Sequence, residues 1–129
     1  MFPSHVLKAL ILAGALALPA PVLAFGEPYR PDRFDGLIRA GKPVLLHIHA
    51  PWCPTCRAQD KRLTGLFTLP ENRDITALEV SFDHQKDAVR GFRANQQSTL
   101  IGYRDGREVG RLVGETREER IGALLERLR

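Results

Sequence analysis

Two cysteines, Cys53 and Cys56, are the residues in this chain best suited to covalent chemistry. Only two residues separate them, so they can share the first turn of one helix with both sulfurs close together. A sulfur at a helix start faces unpaired backbone N–H groups and the positive end of the helix dipole, which favour the thiolate. The spacing therefore predicts thiol–disulfide exchange, with an accessible Cys53 attacking and a buried Cys56 resolving.

A structural disulfide and a zinc half-site are the other uses of such a pair. A disulfide across two intervening residues constrains the unfolded chain very little, so a purely structural role is disfavoured. The zinc half-site stays open as an alternative. The strand predicted before the pair, the helix predicted after it and the flanking Trp52 favour redox chemistry. Pro54 suits the first helical turn, where its missing N–H costs nothing.

The elements that must position the two cysteines alternate between strand and helix. The apolar runs predict strands at residues 43–49 and 75–82, and a hairpin of residues 99–103 and 108–113 around Asp105–Gly106. Helical spacing predicts helices at residues 34–40, 57–69, 83–94 and from 116 onward, the last opening with the capping box Thr116-x-x-Glu119. This order predicts an α/β domain whose central mixed, four-stranded sheet has helices on both faces.

Residues 1–24 have the layout of a secretory signal peptide. A weakly cationic start precedes the apolar run 9–18, and small or modest residues stand at Val22 and Ala24. Ten apolar residues are too few to span a bilayer, which needs about 20. We therefore expect cleavage after Ala24, a single domain over residues 25–129 and a periplasmic location. Cleavage would leave no stable membrane anchor.

Composition excludes several classes of protein. A hydrophobic content of 43% with a net charge of +4 excludes an intrinsically disordered chain. The 129 residues are too few for a signal peptide and two domains. Lys and Arg are spread along the chain without a basic block or interleaved aromatic residues, so no nucleic-acid partner is expected.

Residues 44–58, VLLHIHAPWCPTCRA, resemble the active-site segment of the thioredoxin superfamily. Within this segment, residues 52–58 are most similar to exported thioredoxin-like reductases of cytochrome c maturation. Phe92 and residues 99–108 fall where the family's later helix and hairpin fall. The resemblance implies a thioredoxin fold and an exported thiol:disulfide oxidoreductase that reduces disulfides of partner proteins. It implies that no organic cofactor is required. It also implies that a membrane-embedded protein supplies the electrons.

The resemblance also implies a set of residues around the two cysteines, with one departure from the family. The flanking positions are Trp52, Pro54, Thr55, Arg57, His49, Gln97, Ser98 and Thr99. Of these, Arg57 is expected to favour the Cys53 thiolate. The family usually carries a cis-proline where this chain has Ser98. A cis bond before a residue other than proline costs about 3–4 kcal/mol, so we predict a trans bond between Gln97 and Ser98. The change is expected to alter substrate binding.

Two histidines form the second departure. His47 stands where the family often has a buried acid that relays protons to the resolving thiol, and His49 shares its face of the strand. An ordinary imidazole pKa of about 6.5 suits proton transfer near neutrality, so His47 is a candidate catalytic residue. The alternatives are two buried histidines satisfied by their neighbours, or a zinc or Cu(I) carrier using Cys53, Cys56, His47 and His49.

Overall fold

A computed structural model describes residues 25–129, in which five strands form one mixed sheet. The predicted signal peptide, residues 1–24, lies outside the described residues. In chain order the strands are β1 Glu27–Pro28, β2 Val44–His49, β3 Thr76–Ser81, β4 Thr99–Arg104 and β5 Arg107–Val113. Their spatial order is β1-β3-β2-β4-β5, with β1, β2 and β3 parallel and β4 and β5 antiparallel to their neighbours.

The prediction of four strands is wrong by one edge strand. β1 is two residues long, and it pairs with β3 through Glu27 opposite Leu78 and Pro28 opposite Glu79. β1 was not predicted because it consists of a charged residue and a proline and so contains no apolar run. Both are tolerated because an edge strand is hydrogen-bonded on one side only.

The helices lie close to their predicted places, with shifted ends. They are α1 Pro31–Arg39, α2 Pro54–Leu66, α3 Lys86–Gly91 and α4 Glu118–Glu126. α1 begins earlier than predicted because Pro31 fits a first helical turn, and α3 is shorter than predicted. None of the helices in residues 25–129 has the length and apolar character that a bilayer crossing requires.

β2 lies at the centre of the fold, and all six of its residues are buried. Val44, Leu46 and Ile48 face the apolar cluster that includes side chains of α1 and α3. Leu45 points the other way, into the cluster formed with α2 and α4. The predicted layering of helices on both faces is confirmed. Because side chains alternate along a strand, His47 and His49 lie on the same face as Leu45, beneath α2.

The hairpin of β4 and β5 turns where the sequence predicts. Asp105 and Gly106 have φ angles of 50° and 79°, the left-handed pair that a tight primed turn requires. Gly102 and Gly110 are paired across the two strands. A Cβ at Gly102 would lie 2.6 Å from a methyl carbon of Leu128, so this glycine allows α4 to pack closely on the sheet.

The predicted capping box at the start of α4 is wrong. The helix begins at Glu118, and its N-cap residue is Arg117, which makes no side-chain capping bond. Glu115 orders the approach to the helix instead, because its carboxylate accepts hydrogen bonds from the Arg117 N–H at 3.0 Å and from the Arg117 guanidinium at 2.8 Å. Thr116 therefore lies outside the helix.

Candidate active site

Cys53 occupies the N-cap position of α2, directly after the loop that follows β2. Its backbone is extended, with φ −85° and ψ 114°, and Pro54 fills the first helical position. The Cys53 Sγ accepts a hydrogen bond from the Cys56 N–H at 3.1 Å. This confirms the predicted placement of one sulfur against the unpaired N–H groups of a helix start.

Both cysteines are free thiols, and both are buried. Cys53 is 2% exposed and Cys56 is fully buried. The expectation of an accessible Cys53 is therefore wrong in degree, because Ala50 and Phe82 pack around the pair and the Ser98 hydroxyl lies against both sulfurs. Cys53 is still the outer of the two thiols.

Ser98 is the residue that bridges the two sulfurs. Its Oγ lies 3.2 Å from Cys53 Sγ and 3.4 Å from Cys56 Sγ. The peptide bond before it is trans, like every peptide bond in residues 25–129, which confirms the prediction. Its φ of 62° is left-handed, a region that side chains other than glycine rarely adopt.

Backbone hydrogen bonds hold Ser98 in this strained conformation. Its N–H donates to the Ile48 carbonyl at 2.8 Å, and its carbonyl accepts the Gly114 N–H at 2.9 Å. A third bond comes from the buried Gln59, whose Nε2 donates to the same carbonyl at 3.0 Å. Because several partners fix it, the hydroxyl has a defined position against the sulfurs.

The two thiols have opposite pKa shifts. Burial alone would raise the pKa of Cys53, but hydrogen bonds from Cys56, Ser98 and the backbone N–H groups of Cys56 and Thr55 lower it below its ordinary value. Burial raises the pKa of Cys56, and the neighbouring Cys53 raises it further. Cys53 is therefore the thiol that ionises first, as an attacking nucleophile must.

His47 is joined to this site through Gln59. The Gln59 Nε2 donates to the carbonyls of Ser98 and Glu115, each at 3.0 Å, so the Gln59 Oε1 faces His47 Nε2 at 2.9 Å. His47 therefore carries its proton on Nε2. Burial lowers the pKa of His47 to about 4, although Asp60 acts in the opposite direction. The ordinary pKa of about 6.5, on which the predicted proton relay rests, does not apply to this imidazole.

His49 has two acidic neighbours. Its Nε2 lies 2.8 Å from Asp60 Oδ2, and its Nδ1 lies 3.6 Å from Glu79 Oε1. The hydrogen bond with Asp60 raises the pKa of His49 and outweighs the effect of burial. Burial raises the pKa of Glu79. Of the two imidazoles, His49 is therefore the one whose surroundings favour the protonated form.

The predicted Cys₂His₂ metal site does not form in the described part of the chain. The ligand cluster found there consists of His49, Asp60 and Glu79, and it includes neither sulfur. The reason is that His47 forms a hydrogen bond with Gln59, while His49 contacts Asp60 of α2 and Glu79 of β3.

The remaining flanking residues take varied positions. Trp52 is 56% exposed, and its Nε1 donates to Asp83 Oδ2 at 2.8 Å. The Arg57 guanidinium donates to the Pro51 carbonyl at 3.1 Å, so its expected support of the Cys53 thiolate is not seen. The buried Thr99 donates its hydroxyl to the Gln96 carbonyl at 2.8 Å, and Gln97 is half-buried.

Residues 27–127 match the family model whose description is Thioredoxin. This chain belongs to the thioredoxin family. Among curated thioredoxins, Thioredoxin H2-1 of Oryza sativa subsp. japonica is 32% identical over 91 residues, covering 68% of this chain and 62% of the rice protein. The mitochondrial thioredoxin of Mus musculus is 26% identical over 98 residues, covering 76% of this chain and 58% of the mouse protein. The chain thus spans about three fifths of the length of these relatives.

A solved structure supports the same assignment. The crystal structure of Trxlp from Edwardsiella tarda EIB202 has a TM-score of 0.75 and 45% sequence identity, covering 77% of this chain and 96% of that chain. The expected thioredoxin fold is confirmed, with five strands in the sheet. The narrower likeness of residues 52–58 to reductases of cytochrome c maturation stays a prediction.

Three further residues belong to the site without having been predicted from the sequence: Gln59, Asp60 and Glu79. Two signals point to them. Gln59 and Asp60 follow Cys56 by three and four positions, so they lie on the same side of α2 as its sulfur. Glu79 is an acid in a strand that is otherwise mostly apolar, and His47 lies opposite it in the neighbouring strand.

Proposed function

We propose that this thioredoxin is a thiol:disulfide oxidoreductase that reduces disulfides in partner proteins. One observation carries the proposal: Cys53 Sγ lies at the N-terminus of α2, 3.1 Å from the Cys56 N–H, with the resolving thiol in the first turn of the same helix. Family membership supports the same chemistry. Trp52, the largest exposed apolar side chain beside the cysteines, offers a surface on which a partner can dock.

The reaction consists of two thiol–disulfide exchanges. The Cys53 thiolate attacks one sulfur of the partner disulfide, forming a mixed disulfide, and the partner's other sulfur leaves and takes up a proton. Cys56 then loses its proton and attacks Cys53 Sγ, which releases the second partner thiol. The partner gains two electrons and two protons, and a Cys53–Cys56 disulfide remains.

Ser98 acts in both steps as a hydrogen-bond donor. Its hydroxyl lies within reach of both sulfurs, so it can stabilise the Cys53 thiolate before attack and the Cys56 thiolate that forms during resolution. Gln59 positions this hydroxyl by holding the Ser98 carbonyl.

Disulfide reduction by the purified chain tests this function. We expect wild type to reduce insulin disulfides with dithiothreitol as the electron source, and Cys53→Ser to lose turnover. Cys56→Ser should accumulate a mixed disulfide that is visible on a non-reducing gel. Lys61→Gln, an exposed change on the same helix, should keep wild-type turnover. Full turnover by Cys53→Ser would overturn the proposal.

The proposal includes export and a membrane-embedded electron donor. Residues 1–24 supply the export signal, and the donor returns two electrons to the Cys53–Cys56 disulfide in a compartment that cytosolic reductants do not reach. In a Gram-negative host we expect a periplasmic protein that begins at Phe25. A cytoplasmic chain that begins at Met1 would contradict export without affecting the proposed reaction.

A further inference from the structure

Carboxylates and imidazoles meet between β2, β3 and α2, in a cluster that the disulfide chemistry does not use. His49, Asp60 and Glu79 can each offer one ligand atom, and these atoms all lie within 4.8 Å of one another. His49 is buried, whereas the side chains of Asp60 and Glu79 are 25% and 20% exposed. The cluster therefore has a route to solvent along its acidic side.

His47 contributes an independent sign that this cluster suits a cation. Its side chain is 1% exposed, and its Nδ1 points at Asp60 Oδ1 from 3.4 Å. Because Nε2 carries the proton that Gln59 accepts, Nδ1 offers a lone pair, and it faces a carboxylate oxygen that also offers lone pairs. Among the described residues, neither atom has a hydrogen-bond partner.

The protein's own donors do not satisfy the cluster. A doubly protonated His49 can donate one N–H toward Asp60 Oδ2 and one toward Glu79 Oε1. His47 Nδ1, Asp60 Oδ1 and Glu79 Oε2 are still buried acceptors without a donor in residues 25–129. These three acceptor atoms lie beside two carboxylates, and a positive ion bound among them would stabilise their buried lone pairs.

We propose that His49, Asp60 and Glu79, joined by Nδ1 of His47, bind one divalent transition-metal ion of the zinc class. Two imidazole nitrogens and two carboxylates form a donor set that suits Zn²⁺ and its neighbours, whereas Ca²⁺ and Mg²⁺ prefer oxygen alone and Cu(I) prefers sulfur. Ligands about 2.0–2.2 Å from a tetrahedral ion lie about 3.4 Å apart. The His47 Nδ1–Asp60 Oδ1 distance of 3.4 Å and the His49 Nδ1–Glu79 Oε1 distance of 3.6 Å match that spacing. The ligand atoms of His49, Asp60 and Glu79 lie within 4.8 Å of one another, so the side chains must move inward to surround the ion.

Metal titration of the reduced, chelator-treated full chain tests the site, with Zn²⁺ in calorimetry and Co²⁺ in visible spectroscopy. We expect one equivalent to bind, with a tetrahedral cobalt spectrum that lacks thiolate-to-cobalt charge transfer. Asp60→Asn and Glu79→Gln keep the shape of each side chain and should weaken binding by about ten-fold or more. Glu71→Gln, a matched change at an exposed acid, should bind like wild type.

A Cys53→Ser/Cys56→Ser double variant separates this site from metal binding by the two thiols. Retained binding in the double variant supports the proposal. Binding that disappears with the cysteines, or a cobalt spectrum with thiolate charge transfer, overturns it, as does the absence of saturable binding in wild type. Circular dichroism checks that each variant is folded. If Asp60→Asn or Glu79→Gln does not fold, the titrations of wild type and of the double variant still test whether the site binds metal. None of these measurements depends on reductase activity.

Discussion

Ser98 Oγ lies 3.2 Å from Cys53 Sγ, at the position where thioredoxins usually carry a cis-proline. A proline ring has no donor to offer, whereas a hydroxyl can donate a hydrogen bond to a thiolate. The left-handed backbone of Ser98 turns its side chain toward the dithiol. In this chain the loop that faces the sulfurs therefore helps to lower the pKa of Cys53.

Ser98→Gly isolates the contribution of the hydroxyl. Glycine accepts a positive φ without strain, so the free energy of unfolding should change by less than about 1 kcal/mol. The Cys53 thiolate loses a donor, and hydrogen bonds to charged groups contribute about 1.5–3 kcal/mol. We expect the rate of Cys53 alkylation by iodoacetamide at pH 7 to fall about ten-fold. An unchanged rate in a folded variant would show that the hydroxyl does not act on the thiolate.

Ser98→Pro restores the family's residue but should not restore the family's loop. Proline fixes φ near −65°, whereas φ here is 62°, and it removes the N–H that donates to the Ile48 carbonyl at 2.8 Å. We expect the free energy of unfolding in urea to fall by about 2–4 kcal/mol. A variant as stable as wild type would mean that the loop can rebuild around a cis bond.

Alkylation of the single-cysteine variants should separate the two thiols by pH. In Cys56→Ser the reactive thiolate is Cys53, whose hydrogen bonds lower its pKa, so the alkylation rate should reach half its maximum below the ordinary value of 9.0. In Cys53→Ser, burial keeps the pKa of Cys56 raised, and its half-point should lie above 9.0. Lowering the pH therefore removes Cys56 reactivity first. The reverse order would contradict the assignment of attacking and resolving thiols.

Gln59→Leu should be strongly destabilising despite the similar size of the two side chains. It removes an acceptor from His47 Nε2 and a donor from the carbonyls of Ser98 and Glu115, all in a fully buried position. Buried groups left without partners cost about 1–3 kcal/mol each, so we expect a loss of about 2–4 kcal/mol in urea unfolding. Gln96→Leu, at an exposed site, should change stability by less than about 0.5 kcal/mol. Equal stabilities of the two variants would exclude the network.

Gly102→Ala tests the close packing of α4 on the hairpin. The new methyl group would lie 2.6 Å from Leu128 Cδ2, so this buried side chain must shift, and overpacking of this kind costs about 1–3 kcal/mol. Gly65→Ala is the matched control, because open space surrounds this position in α2 and alanine favours the helix. We expect thermal unfolding at a lower temperature for the first variant and at an equal or higher temperature for the second.

The order of the helices and most strands could be predicted because local patterns encode them. Asp105 and Gly106 form the predicted turn, and Cys53 caps α2 as expected, since each depends on neighbouring residues alone. β1 was missed because a two-residue edge strand has no periodicity of its own. The capping box at Thr116 failed because Glu115, tied to Gln59 on another helix, decides where α4 begins.

The sequence by itself determined the dithiol, its place at a helix start and the trans bond before Ser98, because these follow from residue type and short spacing. Only the tertiary structure decided which groups meet the sulfurs and the histidines. Gln59 reaches His47 from 12 positions away, and Ser98 meets Cys53 from 45 positions away. The burial of the cysteines and histidines, their pKa shifts and their unpaired acceptor atoms all result from contacts between residues far apart in the chain. They therefore cannot be predicted from short sequence patterns.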